Sequence, residues 1–311
     1  MHDSSAIRCR GLVKDYGAVR AVDGLDLEIR AGECFGLLGP NGAGKTTTLK
    51  MLSGLLYPTS GTATVLGYTP WKREDGYRRQ FALLLGQKNQ LWWDLPARES
   101  LNLNAKIYGI DADTFKRTVS ELTALLAVEH KLDVMVRELS LGERMKMELI
   151  ASLLHQPKVL FLDEPTIGLD VVSQKTVREF LRTHNARHKT TIVLTSHYMA
   201  DIQELCRRVI IIDRGSIFFD GALSEVMDRF ADFKIVTVQC STEGTAAPVD
   251  LQKYGEVIER TAATIKLKIK RDRVIPACKA LLDELAVTDI DIEEVPIEDV
   301  IRQIFAGGAS Q

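Results

Sequence analysis

No two cysteines of this sequence are spaced as C-x-x-C. The five present (Cys9, Cys34, Cys206, Cys240 and Cys278) stand far apart and have no partnering histidines. An odd, scattered set argues against a disulfide framework or a zinc site and fits a reducing compartment. A dominant charge is lacking too: Lys+Arg total 40 and Asp+Glu 42, for a formal net charge of −2. Gripping duplex DNA mainly through its phosphates needs positive surface, so that role is not expected. Long apolar runs are also missing. The longest uncharged stretch, Met51 to Trp71, is interrupted by Gly54, Pro58, Gly61, Gly67 and Pro70, and it cannot form a spanning helix. The opening MHDSSAIRCRG has no apolar segment of the kind a secretory signal needs.

What is present suits a folded chain with a sizeable core. The 311 residues are 45% hydrophobic and 26% charged, enough for one large or two ordinary domains. Residues 18–38 read as strand, turn, strand, and TTTLKMLSGLL then continues with helical spacing of Leu49, Leu52 and Leu56. Apolar runs at 81–86, 158–163, 190–196 and 208–213 predict strands; the last three are continuous enough to be covered on both faces. Helical stretches at 142–154 and 171–184 lie between them. Residues 95–135 carry two 3.6-period faces with no strand between, which predicts a helical insertion. After about residue 232, short alternating strands (IVTVQC, TIKLKI, TDIDIEEV) interleave with helices at 274–286 and 297–305, and STEGTAAPVD (241–250) reads as a loop.

Two segments carry chemistry by themselves. Gly39-Pro40-Asn41-Gly42-Ala43-Gly44-Lys45-Thr46 fits G-x-x-x-x-G-K-[ST] between an expected strand and an expected helix. Small residues let backbone N–H groups surround phosphate oxygens, and the helix N-terminus adds a favourable dipole. Lys45 is expected at the β- and γ-phosphates and Thr46 on Mg²⁺. Val159-Leu-Phe-Leu-Asp163-Glu164 is an apolar strand ending in two acids at the sheet's carboxyl edge. Asp163 is suited to holding Mg²⁺, and Glu164 to orienting and deprotonating the attacking water.

With these in place the chain resembles an ATP-binding cassette (ABC) ATPase over about residues 7–230. The resemblance implies further roles, residue by residue. Tyr16 stands where the family stacks an aromatic ring on adenine. Gln87, forty-two residues after Lys45, resembles the glutamine that contacts Mg²⁺ and the attacking water and senses the membrane partner. Leu139-Ser140-Leu141-Gly142-Glu143 resembles the LSGGQ signature, with Ser140 and Gly142 kept for the γ-phosphate across a dimer. Gly168-Leu169-Asp170 resembles the D-loop, and His197 the switch histidine. The nucleotide set is then Tyr16, residues 39–46, Thr47, Ser140 and Gly142, with Glu164, His197 and Gln87 catalytic and Thr46, Gln87 and Asp163 on the metal.

The signature departs from the family at Leu141 and Glu143. Ser140-x-x-Glu143 is also a capping box for the helix that follows. Trp92 and Trp93 cannot both point inward from one regular strand, so one is expected either to anchor a membrane partner or to pack between lobes. The alternation from Lys266 to Arg271 reads as a strand with one solvated face whose lysines discourage edge pairing, in a tail holding 10 basic and 13 acidic residues over 233–311.

The expected fold is therefore α/β: a P-loop cassette with a parallel-sheet core, N-terminal antiparallel strands and a helical insertion. The cassette spans 1–232, with a helical subdomain at about 95–155, and a small α+β domain spans 233–311. The resemblance is strongest to ATPase subunits of ABC-2 type exporters of the daunorubicin and viologen kind. It implies ATP and Mg²⁺ as cofactors, a head-to-tail dimer with itself or a second cassette, and separately encoded membrane permeases. It also implies a peripheral place on the cytoplasmic side of the membrane, with no nucleic acid bound. The alternative is a soluble ABC ATPase acting in translation or DNA maintenance. Against it stand the single cassette and a gap of 53 residues between Gln87 and Ser140 without sustained heptads. A P-loop GTPase is disfavoured because no Asn is followed by Lys, and a module without turnover because Glu164 and His197 are both present.

Overall fold

A computed structural model of the chain describes residues 5–86, 88–241 and 250–307. The chain divides into two compact units, Met1–Leu223 and Ser224–Gln311. In the first, β1 (Ser5–Tyr16), β2 (Val19–Arg30) and β3 (Cys34–Leu38) lead to helix α1 (Lys45–Leu52). Then come β4 (Ser60–Val65), the one-turn α2 (Asp75–Arg78) and β5 (Phe81–Leu85). Three helices follow, α3 (Ala97–Tyr108), α4 (Ala112–Leu126) and α5 (Leu141–Leu153). The unit is completed by β6 (Val159–Asp163), α6 (Val171–His188), β7 (Thr191–Thr195), α7 (Met199–Leu205), β8 (Arg208–Asp213) and β9 (Ser216–Ala222).

The core sheet runs β5-β6-β7-β3-β8-β9, parallel except where β9 adds an antiparallel edge. β5, β6, β7, β3 and β8 form the parallel core that was expected, and β9 makes the sheet as a whole mixed. A second sheet, β2-β1-β4, is antiparallel. Both contribute to one hydrophobic cluster, in which Ile7, Leu25 and Ile29 join Phe35, Leu49, Phe161 and Val193. Each such side chain taken from water is worth roughly 1.5–3 kcal/mol. The parallel strands all end at one edge, and the loops leaving that edge carry Gly39–Gly44, Glu164 and His197.

β1 is a strand that the periodicity did not predict, and Tyr16 closes it. The reason is local. Ile7, Cys9 and Leu12 are buried, but the register shifts between Cys9 and Leu12, around Gly11 with φ +54°, and the alternation breaks there.

In the second unit, α8 (Leu223–Phe230) enters from the first. It is followed by β10 (Phe233–Cys240), β11 (Glu256–Arg260), β12 (Thr264–Lys270), α9 (Val274–Glu284), β13 (Val287–Glu294) and α10 (Ile297–Gly307). The antiparallel order is β11-β12-β10-β13, so β12 is an inner strand and its lysines are not edge guards. Ile265, Leu267 and Ile269 point into a core with Val236, Val238 and Leu281, while Lys268 lies 3.6 Å from Glu256. Most of the loop expected at 241–250 lies outside the described residues. No helix among the described residues is long and apolar enough to cross a membrane.

Candidate functional site

The loop from Gly39 to Gly44 joins β3 to α1 and has no room for side chains at its ends. A Cβ on Gly39 would lie 2.4 Å from the Ile212 carbonyl oxygen. One on Gly44, at φ +106°, would lie 2.4 Å from that of Ala21. The second contact sets β2 against the loop; Tyr16, in the same β1–β2 hairpin, has an exposed ring. Lys14 Nζ sits 5.3 Å from that ring's centroid. Gly44 caps α1 without a side chain, and the helix's first turn holds no acid. No side chain of this first turn competes for its N–H groups, which suits the turn to an anion.

Lys45 is buried, and its Nζ donates to the carbonyls of Gly39 (2.7 Å) and Pro40 (3.1 Å). Burial lowers its pKa, opposed by the nearby charges of Glu164 and Asp163. β6 delivers those two acids. β6 and β7 pair in parallel with Asp163 beside Thr195. Asp163 accepts from Thr195 Oγ1 at 2.6 Å on one oxygen and from Thr46 Oγ1 at 2.8 Å on the other. Glu164 follows with φ +56°, in the left-handed region. Its N–H donates to the Thr195 carbonyl (3.0 Å) and hydroxyl (3.1 Å), and its Oε1 lies 2.7 Å from His197 Nε2. A cleft of about 230 Å³ is lined by Thr46, Lys50, Gly86, Asp163 and Glu164 among others. Gly86 belongs there because any Cβ would come within 2.3 Å of the Glu164 carbonyl oxygen. Gln87, the next residue, lies outside the described residues.

The signature forms a second group. Ser140 caps α5: its Oγ accepts from Glu143 N–H at 3.2 Å, and Glu143 Oε2 accepts from Ser140 N–H at 2.9 Å. Lys131 Nζ holds the other Glu143 oxygen at 3.0 Å. Burial works against ionisation of this carboxyl, but the bonds from Ser140 and Lys131 outweigh it and its pKa lies below the ordinary glutamate value. Asp170 caps α6 through Ser173, and a Cβ on Gly142 would lie 2.7 Å from Ser173 Oγ. Signature and D-loop thus lie against each other. Among the described residues, no hydrogen bond or ion pair links Ser140 or Gly142 to the phosphate loop.

Trp92 and Trp93 are both exposed, where the expectation was one ring either exposed as an anchor or packed between lobes. The segment is not a strand, so alternation does not apply. It is fastened to the stretch before the signature through Arg137 N–H to the Trp93 carbonyl (3.1 Å), Val136 N–H to that of Leu95 (3.0 Å) and an Arg137–Asp94 ion pair.

Two further groups escaped the sequence reading. Asp201 is fully buried and accepts from Ser196 Oγ at 2.6 Å, from Thr166 Oγ1 and from Arg178 Nη1 at 3.2 Å. It fastens the loop after Glu164 to the residue before His197. Its signal was weak: one acid in the short helix after the histidine. Glu148 is buried within α5, which raises its carboxyl to about 7 despite the Gln90 N–H and Arg144.

A phosphate loop on a free helix N-terminus, and an acid pair ending the strand two places away in the sheet, define a P-loop nucleotide-binding cassette. Comparison with known proteins narrows this further. The ABC transporter family pattern matches residues 22–167, and an EvrA-like ABC transporter C-terminal domain matches 232–293. The Nod factor export ATP-binding protein I of Burkholderia orbicola (strain AU 1054) is 40% identical over 213 residues, 68% of this chain and 69% of that protein. The linearmycin resistance ATP-binding protein LnrL of Bacillus subtilis (strain 168) is 32% identical over 263 residues, 85% of this chain and 84% of that one. Among solved structures, a dimeric ATP-binding cassette in a post-hydrolysis state with ADP and Pi has the same fold, at TM-score 0.63 and 21% identity. That match covers 70% of this chain and 98% of the other. The chain belongs to the ATP-binding proteins of ABC transporters and is an ATP-hydrolysing cassette.

Proposed function

We propose that the chain is the ATPase subunit of an exporter, energising transport through separately encoded membrane subunits from the cytoplasmic side of the membrane. Support for export comes from relatives named for Nod factor export and linearmycin resistance. The catalytic reading rests above all on the 2.7 Å contact of Glu164 with His197, at the end of the strand that also carries Asp163. Glu164 acts as general base, taking the proton of the attacking water on its carboxylate, and His197 orients that carboxylate. Tyr16 stacks on adenine. The loop from Gly39 to Thr47 holds phosphate oxygens on its backbone N–H groups, Pro40 contributing none, and Lys45 exchanges its two carbonyl partners for the β- and γ-phosphates.

Thr46 and Asp163 present hard oxygen donors 2.8 Å apart, a set that suits Mg²⁺; Gln87 is the third proposed ligand. When bound, the ion neutralises charge on the β- and γ-phosphate oxygens. Ser140 and Gly142 complete the site from a second cassette, with Asp170 at the same interface. We take the cassette to be residues 1–232, with its helical subdomain at about 95–155, and residues 233–311 to be an accessory domain.

The test is Glu164→Gln. Steady-state turnover is expected to fall ~10²–10⁴-fold while nucleotide binding survives. Turnover near the unmodified rate contradicts the assignment of the base.

A further inference from the structure

The elements that carry the nucleotide site have a second gathering point at their other ends. A cavity of about 300 Å³ is lined by residues from α4, the C-terminal ends of α5 and α6, and the starts of β6 and β7. Its size is at the lower end of the ~300–1,000 Å³ typical of small-molecule pockets. Leu122, Leu153 and Pro157 are buried and give it an apolar floor. His184 and His188 stack with ring centroids 4.5 Å apart and give it an aromatic wall. Burial and the neighbouring His188 lower the His184 pKa to about 4, so that ring is neutral, and its Nε2 meets Thr190 Oγ1 at 3.3 Å.

Charge at the rim is one-sided. Lys158 and Lys189 line the cavity, are exposed, and have no ion-pair partner among the described residues. The one lining acid, Glu121, already faces Arg187 at 3.6 Å. Lys189 and Gln156, both at the cavity, hold φ +53°, a conformation usually given to glycine. Strained residues of this kind tend to gather at binding sites.

We propose that this cavity binds a small aromatic carboxylate, its ring between the imidazole wall and the leucine floor and its carboxylate on Lys158 and Lys189. An apolar floor alone would accept any hydrophobe. Two cations without partners select an anion, and charge-assisted bonds to them give the selectivity.

The experiment is calorimetric titration of the full chain with 1-naphthoate, with and without saturating non-hydrolysable ATP analogue and Mg²⁺. Saturable one-to-one binding that the nucleotide does not displace is expected. Lys158→Glu/Lys189→Glu should weaken it about tenfold or more, and the neutral 1-naphthalenemethanol should bind weaker by a similar factor. Both lysines are exposed, and a thermal unfolding scan checks that the variant folds. The neutral compound tests the charge requirement on the unaltered chain. Displacement by the nucleotide, equal affinity of acid and alcohol, equal affinity of a folded double variant, or absence of saturable binding would each overturn the proposal.

Discussion

Glu164 holds a backbone conformation that costs an L side chain roughly 1–2 kcal/mol. Two hydrogen bonds from its N–H to Thr195 offset that cost, and together they turn the carboxylate toward His197. Glu148 shows a different use of burial. In the unfolded chain its pKa is near the ordinary 4.5; in the folded chain it is about 7. Between these values the folded chain keeps a proton that the unfolded chain releases. Its contribution to stability therefore falls as pH rises through that window and is flat above it. Glu148→Gln removes the titration. Urea unfolding of both forms should show the variant gaining on the unmodified chain from about pH 5 to pH 7, by up to about 3 kcal/mol, with no further gain above. A difference that does not vary with pH contradicts this. The loop at 39–46 and the acid pair 163–164 could be proposed from the sequence because their types and spacing are tied to phosphate chemistry; His197 was proposed only through the family resemblance, and the structure sets it 2.7 Å from Glu164. Glu148 and Asp201 were not: an acid in a helix reads as solvated until the facing elements are known.

The signature helix α5 is specified by its own first turn. Ser140 and Glu143 satisfy each other's backbone N–H groups, and Lys131 holds the carboxylate in place. This box was legible three residues apart in the sequence, and it gives Glu143 a structural use where the family has Gln. Glu143→Ala should cost about 1 kcal/mol in denaturant unfolding, whereas Glu143→Gln, which still accepts from Ser140 N–H, should cost less. Equal losses would remove the box from the account. Strands were legible where both faces are buried, as in β6 and β7. β11 is exposed at all five positions, so no alternation marks it. The run from Trp92 to Asp94 is held against Arg137, just before the signature. A membrane partner resting on the two exposed rings would therefore be connected to Ser140 by a short path. Trp92→Ala and Trp93→Ala should each reduce co-purification with the membrane subunit, by about 2 kcal/mol or more at a hot spot, and leave the chain folded. Normal binding by both would move the docking surface elsewhere.

At the scale of the whole molecule, the site residues fall into two groups. The phosphate loop, Asp163, Glu164 and His197 form one. Ser140, Gly142, Asp170 and Ser173 form the other. We propose that an ATP needing both groups is completed by a second copy or a second cassette, arranged head to tail with two-fold symmetry. In that proposed arrangement the γ-phosphate would belong to both faces, and hydrolysis would release them. Slowing hydrolysis should trap the closed pair, and a bulky charge at the signature should prevent it. The measurement that bears on this most directly is light scattering of Glu164→Gln with and without Mg-ATP, beside Glu164→Gln/Ser140→Arg. A shift from one 34.6 kDa chain to twice that mass is expected when ATP is added, and no shift in the double variant. A Glu164→Gln chain that stays monomeric at high concentration under saturating Mg-ATP, even with its membrane subunit supplied, would contradict it.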